Sequence, residues 1–309
     1  MIYMRPFYFL LLGLIPFFNS SCNQTPPQYF KQKPSFQKVI GIEYTEIRRS
    51  FNTGLSYNQS GFQLEPDWKM KFHSNDSVRL YNPLNNRNFN FHVYFDHDSV
   101  INMARVWLRV TKVSTDSLVF QLLDVKSKRI SGESSNIYMT FYADNYIKNK
   151  LHTNAEILKR PSLKDSLFIR NKIKKTNMHV DSIFASRTPV KLESLNTLLK
   201  VEKAKFTADP LNHIEASEEY LYPEFNIVID QAYMDFFYSF SVIVDYRGKL
   251  HFKASTVYIM PEFEESRLRT MKGIMEGYLQ RLLKITPGKT LGIPHNSLIL
   301  VNVQGIKRE

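Results

Sequence analysis

Few side chains in this 309-residue chain are spaced for chemistry. The nearest approach to a metal set is His92, Asp96, His97 and Asp98, because imidazole and carboxylate together suit zinc or iron. Parity argues against it: on a continuous strand positions 92 and 97 face opposite ways, and only a bulge or turn at Asp96 would bring them together. His97-Asp98-Ser99 has the residue types of a hydrolytic triad, but adjacent residues rarely converge as a triad requires, and no Gly-x-Ser-x-Gly elbow is present. Glu218 and Glu219 point in different directions and read as a solvated helix face, not as a paired acid and base. Gly273 and Gly277 have the small-xxx-small spacing of membrane dimers, yet charged residues surround them, so close packing on a sheet is expected. Trp68 and Trp107 are expected as core or hairpin aromatics. With no phosphate loop and no dinucleotide fingerprint, the expectation is a non-enzymatic protein without catalytic, metal or cofactor residues.

Cys22 is the only cysteine, which rules out an internal disulfide. Arg5 and the apolar run Phe7 to Phe18 precede it, a run far short of the roughly 20 residues that span a bilayer. Asn19-Ser20-Ser21-Cys22 resembles a bacterial lipobox, with Asn19 where an aliphatic residue is usual. The resemblance implies cleavage after residue 21, lipidation of Cys22 by diacylglycerol (palmitate being a usual chain), and a protein anchored to one leaflet of the inner or outer membrane, facing the periplasm or the exterior. The net charge of +12 then suits anionic lipid or polysaccharide, and nucleic acid is not expected as a partner outside the cytoplasm.

A proline-containing tether is expected over 22–40. From 41 to 145 period-two alternation dominates: Trp68, Met70 and Phe72 alternate with lysines and histidine, and Phe89, Phe91, Val93 and Phe95 alternate with polar neighbours and Tyr94. A hairpin is predicted from Ala104, Val106, Leu108 and Val110 through Ser114-Thr115-Asp116-Ser117 to Leu118, Phe120 and Leu122. Asp-Ser followed by an aliphatic residue recurs at 76, 98, 116, 165 and 181 without a fixed period and reads as reused turn chemistry. Antiparallel strands so linked predict a meander or lipocalin-like barrel. A basic, partly helical connector follows over 146–206, with helices expected at Leu163 to Lys175, capped by Ser162, and at Leu192 to Lys203.

Over 207–309 the pattern changes to strand, strand, helix, strand. Tyr238 to Asp245 and Leu250 to Met260 form a hairpin whose turn holds Gly248, Pro261 opens an amphipathic helix, and Ser297 to Val303 is the last apolar strand. Tyr222-Pro223, the hairpin containing Asp245 and Gly248, and Pro287-Gly288-Lys289 followed by Gly292 and Pro294 together resemble the C-terminal domain of TonB and its relatives. In that family the last strand can leave an open edge that receives a partner's extended peptide. The resemblance implies such an edge at Ser297, Leu298, Ile299, Leu300, Val301, Asn302 and Val303.

The fold class expected is α+β, a β-rich antiparallel N-terminal domain plus a small TonB-C-like ββαβ domain. The function expected is that of a lipid-anchored cell-envelope protein that binds an envelope protein or peptide through the C-terminal module. The alternative is an envelope carrier that holds a lipid, glycan or other hydrophobic ligand in its N-terminal barrel. An exposed last strand favours the first, and a closed barrel with an apolar cavity favours the second.

Overall fold

The computed structural model describes residues 33–82, 86–179, 182–205 and 217–308, so Cys22, the residues before it and most of the tether lie outside the described part. The chain is α+β with a β-rich N-terminal lobe. Ten strands build that lobe: β1 (Glu43–Phe51), β2 (Lys69–Ser74), β3 (Ser77–Asn82), β4 (Arg87–His92), β5 (Tyr94–Phe95), β6 (Val100–Met103), β7 (Val106–Val113), β8 (Ser117–Lys126), β9 (Arg129–Ser131) and β10 (Ile137–Ala143). All pair antiparallel, in the order β4-β3-β2-β1-β10-β8-β7-β6-β5, with β9 beside β8. The two ends of that order, β4 and β5, are separated in sequence by Val93 alone, so the sheet curls into a nearly closed barrel.

Alternation fills the barrel. Met70, Phe72, Val78, Leu108, Val110, Leu118, Phe120 and Phe141 point inward and are buried, while Lys69 and His73 point outward. One end is plugged by a short 3-10 turn, Gln37–Val39, where Phe36 and Val39 are fully buried and Phe36 stacks on Phe72 with ring centroids 4.1 Å apart. These two residues, expected in the tether, therefore belong to the barrel core. Ala104 is not a strand residue: with Arg105 it makes the β6–β7 turn, both at positive φ.

After β10 come α1 (Asp144–Asn149), α2 (Ala155–Leu158) and α3 (Leu163–Met178). Ser162 caps α3 as expected: its hydroxyl accepts from the Asp165 N–H, and the Asp165 carboxylate accepts from the Ser162 N–H, which completes a capping box. The Asp165-Ser166 pair is thus a helix start and not a turn. The helix expected over 192–203 is absent; that stretch forms β11 (Lys191–Ser194) and β12 (Leu199–Lys203), because both are drawn into sheets by distant partners.

The C-terminal lobe contains α4 (Glu218–Leu221), β13 (Glu224–Asp230), β14 (Phe236–Val244), β15 (Leu250–Ser255), α5 (Pro261–Ile274), a π-helical turn (Met275–Leu279), α6 (Gln280–Leu282), β16 (Leu283–Thr286), β17 (Lys289–Thr290), β18 (Ile293–Pro294) and β19 (Ser297–Ile306). Its main sheet has the order β12-β13-β19-β14-β15. Ile299, Val301 and Val303 face the core beneath α5 with Met271, Ile274 and Met275. Among the described residues no helix is long and apolar enough to cross a membrane.

The lobes meet at a polar joint. His295 is fully buried and stacks on Phe184, with centroids 4.0 Å apart. Its Nδ1–H donates to the Asn296 carbonyl at 3.0 Å, and its Nε2 accepts from the Thr290 hydroxyl at 2.9 Å, so the ring is the neutral Nδ1–H tautomer. Asn296 reaches both the Thr176 carbonyl of α3 and, as acceptor, the Tyr246 N–H of the hairpin turn. A Cβ at Gly61 would strike the Ala185 backbone, and one at Gly288 would strike Ser186. Burial, with some repulsion from Lys172, pushes the His295 pKa down to about 4.

The unfolded chain protonates this histidine near pH 6.5, so its contribution to stability is complete above that value and is lost as pH falls toward 4. Denaturant unfolding is expected to lose about 3 kcal/mol between pH 7 and pH 4 from this group. The His295→Gln variant is expected to show a visibly shallower decline over the same window.

Candidate functional site

The open end of the barrel is shaped by a bulge in β1. Opposite residues in an antiparallel pair share a face, and here Glu46 lies opposite Phe141, Arg48 opposite Thr140, and Arg49 opposite Met139. Ile47 is the extra residue. Without the bulge Glu46 and Arg49 would face opposite sides; with it both face inward, beside the buried Phe141 and Met139. They form a two-pronged ion pair of 2.8 and 2.7 Å, with the Glu46 side chain fully buried.

Glu46 also sets the position of Trp68. Its carboxylate accepts from the N–H groups of Asp67 and Trp68, each at 3.0 Å, and its own N–H donates to the Trp68 carbonyl at 2.8 Å. Burial pushes the Glu46 carboxyl up, opposed by the Arg49 guanidinium and the two N–H donors. Arg48, turned outward, donates at 3.0 Å to the buried Asp165 of α3 and at 2.7 Å to the Gly54 carbonyl. Burial alone would raise Asp165, but hydrogen bonds from Ser162 and from the Ser56 N–H, with the charge of Arg48, hold it below its ordinary value.

Trp68 lines a recess of about 400 Å³ together with Leu80, Phe89, Phe91 and Ala104, with Asp67, Tyr81 and Asn82 beside them. It lies at the barrel seam. Before Val93, β4 pairs only with β3, and after it β5 joins β6 through just two residue pairs, so the wall is open between β4 and the β6–β7 turn. Phe89 stands opposite Leu80 and Phe91 opposite Val78, and therefore both face inward. Phe89 nevertheless stays 41% exposed, because among the described residues no side chain fills the space in front of it.

The other expected sites fall elsewhere. The last strand, Ser297 to Val303, is not an edge: β19 is bonded to β13 on one side and β14 on the other, so its backbone is fully used. The position left for a partner's strand is taken by the chain's own β13, whose Phe225, Ile227 and Ile229 are buried in the lobe core. Tyr222 and Pro223 lead into β13, and the Pro223 carbonyl accepts from the Leu300 N–H. Asp245 accepts from the Arg247 and Lys249 N–H groups in the hairpin turn and pairs with His251. Pro287, Gly288, Lys289, Gly292 and Pro294 lie at the joint, where Lys289 exchanges backbone hydrogen bonds with Thr188.

His92 stacks edge-on to Tyr94, while His97 follows β5 and contacts Asp96 at 3.2 Å. Among the described residues no three His, Cys, Asp or Glu side chains converge on a cation site. Glu219 pairs with Lys203 at 2.7 Å. Gly273 and Gly277 do not pack on the sheet; they are exposed with open space before them. Trp107, the second residue of β7, pairs with Asn102 on one side and Leu123 on the other.

Removing Glu46 should expose how much depends on it. Glu46→Ala leaves the half-buried Arg49 guanidinium and two N–H groups without their partner and is expected to cost about 3 kcal/mol in denaturant unfolding. The paired replacement Glu46→Leu with Arg49→Met is expected to regain only the share due to the unpaired guanidinium, because the Asp67 and Trp68 N–H groups still lack their acceptor, and to shift the tryptophan emission, since Trp68 loses its clamp. No family model matches the chain, and no curated protein matches it in sequence.

Proposed function

We propose that the chain is a lipid-anchored cell-envelope protein that acts without catalysis, by holding a small apolar ligand at the seam of its N-terminal barrel. The observation that carries this reading is the inward-facing yet exposed Phe89 beside Trp68, Leu80, Phe91 and Ala104. A concave, mostly apolar site of this size, with few polar groups at its edge, is the usual form of a small-molecule site. The plugged opposite end supports a ligand entering from the seam.

We infer as well that residues 217–308 are built on the plan of the TonB C-terminal domain, supported by the hairpin, helix and last strand in that order. Because β13 occupies the flank of β19, peptide capture at Ser297 to Val303 is not part of the proposal. The lipid anchor at Cys22 and a basic surface suited to anionic lipid or polysaccharide complete the reading.

Titration with the neutral fluorophore N-phenyl-1-naphthylamine is expected to give enhanced, blue-shifted emission that saturates at one site. Phe89→Asp and Ala104→Trp should each weaken it about tenfold or more, the loss expected when an aromatic contact is removed or the space is filled. Binding that is absent in the natural protein, or unchanged in both variants, would contradict the site. Separately, Cys22→Ala is expected to move the protein from the membrane to the soluble fraction.

A further inference from the structure

We propose that the seam recess selects a single-chain amphiphile with an anionic head, an inference that rests on the apolar-ligand reading above. The recess accounts for a tail but not for a head. Charged groups at its edge supply one. Arg87 lies directly across β3–β4 from Asn82, which lines the recess, and Arg105 follows Ala104, which lines it on the other side. Both arginines are exposed, and neither has an ion-pair partner among the described residues, whereas Arg48, Arg49, Arg79 and Arg187 are each paired with a carboxylate.

The position of Arg105 comes at a conformational cost. Ala104 and Arg105 are the two central residues of a tight hairpin turn, at φ 52° and 64°, where Asn and Gly are the favoured residues. Among the described residues Asp67 is the one carboxylate lining the recess, so the two guanidiniums outnumber it. A planar guanidinium offers paired N–H donors that match a carboxylate or phosphate, which a hydroxyl or ammonium head cannot exploit. The tail would then lie on Trp68, Phe89 and Phe91 with the head between the two arginines.

Displacement of N-phenyl-1-naphthylamine by dodecanoate, dodecan-1-ol and dodecyltrimethylammonium, each below its micelle-forming concentration, tests this. Dodecanoate is expected to displace the fluorophore at about tenfold lower concentration than the other two. The Arg87→Gln, Arg105→Gln double variant is expected to reduce dodecanoate to the level of the alcohol while leaving fluorophore binding unchanged. Equal displacement by all three would overturn the head-group selection and leave the apolar site standing, and preference for the ammonium would overturn it in favour of Asp67. Failure of the fluorophore itself to bind would instead sink the apolar-ligand reading on which the inference rests.

Discussion

One extra residue in β1 determines how the N-terminal lobe is organised. The bulge at Ile47 turns Glu46 and Arg49 inward and Arg48 outward. Inward, the carboxylate is neutralised by its guanidinium and spends its remaining acceptor capacity on the backbone of residues 67 and 68. Outward, Arg48 ties the same strand to the first turn of α3 through Asp165, which also holds the Ser56 N–H. A buried charge is costly unless its partners are all in place, so these residues fix the approach of the chain to β2 and, with it, the wall of the recess. The bulge therefore joins the barrel to the helix behind it and to the site in front.

The C-terminal lobe is organised by a different constraint. β19 is paired along both sides, parallel to β13 and antiparallel to β14. A strand so enclosed has no backbone groups to offer a partner. The residues that carry the likeness to TonB are accounted for by local geometry. Asp245 and Gly248 shape a tight turn, and Gly248, at positive φ, lies against the Ile285 carbonyl. Gly288 is where the chain passes Ser186. The hairpin turn, through Tyr246, and Gly288 both reach the joint around His295, which makes them determinants of how this lobe meets α3 and the connector, whereas Tyr222 and Pro223 lead into β13.

Much of this was legible in the sequence, and the rest was hidden for physical reasons. Period-two alternation located the strands around Met70, Phe72, Leu108, Val110, Leu118 and Phe120, because half-buried strands must alternate. The Ser162 cap and the helix opening at Pro261 were equally legible, since helix starts are written in local residue types. Leu192 to Lys203 forms strands in place of the expected helix, because pairing with β16 and β13 decides its conformation from far away. The place of β19 at the centre of its sheet is likewise a long-range fact. The site was hidden for a related reason: strict alternation puts Glu46 and Arg49 on opposite faces, and only the bulge reunites them. Alternation makes Phe89 one of a row of half-buried strand residues, and nothing in its neighbours signals that the wall beside it stays open.

The central claim is that an apolar ligand occupies the seam between β4 and the β6–β7 turn. It is tested most directly by photolabelling with a diazirine-bearing alkyl probe and mapping the labelled peptides by mass spectrometry. The account predicts label on the peptides carrying Trp68, Phe89, Phe91 and Ala104, and its suppression by Ala104→Trp. Label confined instead to Val257–Phe263, where Tyr258 is 86% exposed, or spread evenly over the surface, would contradict it.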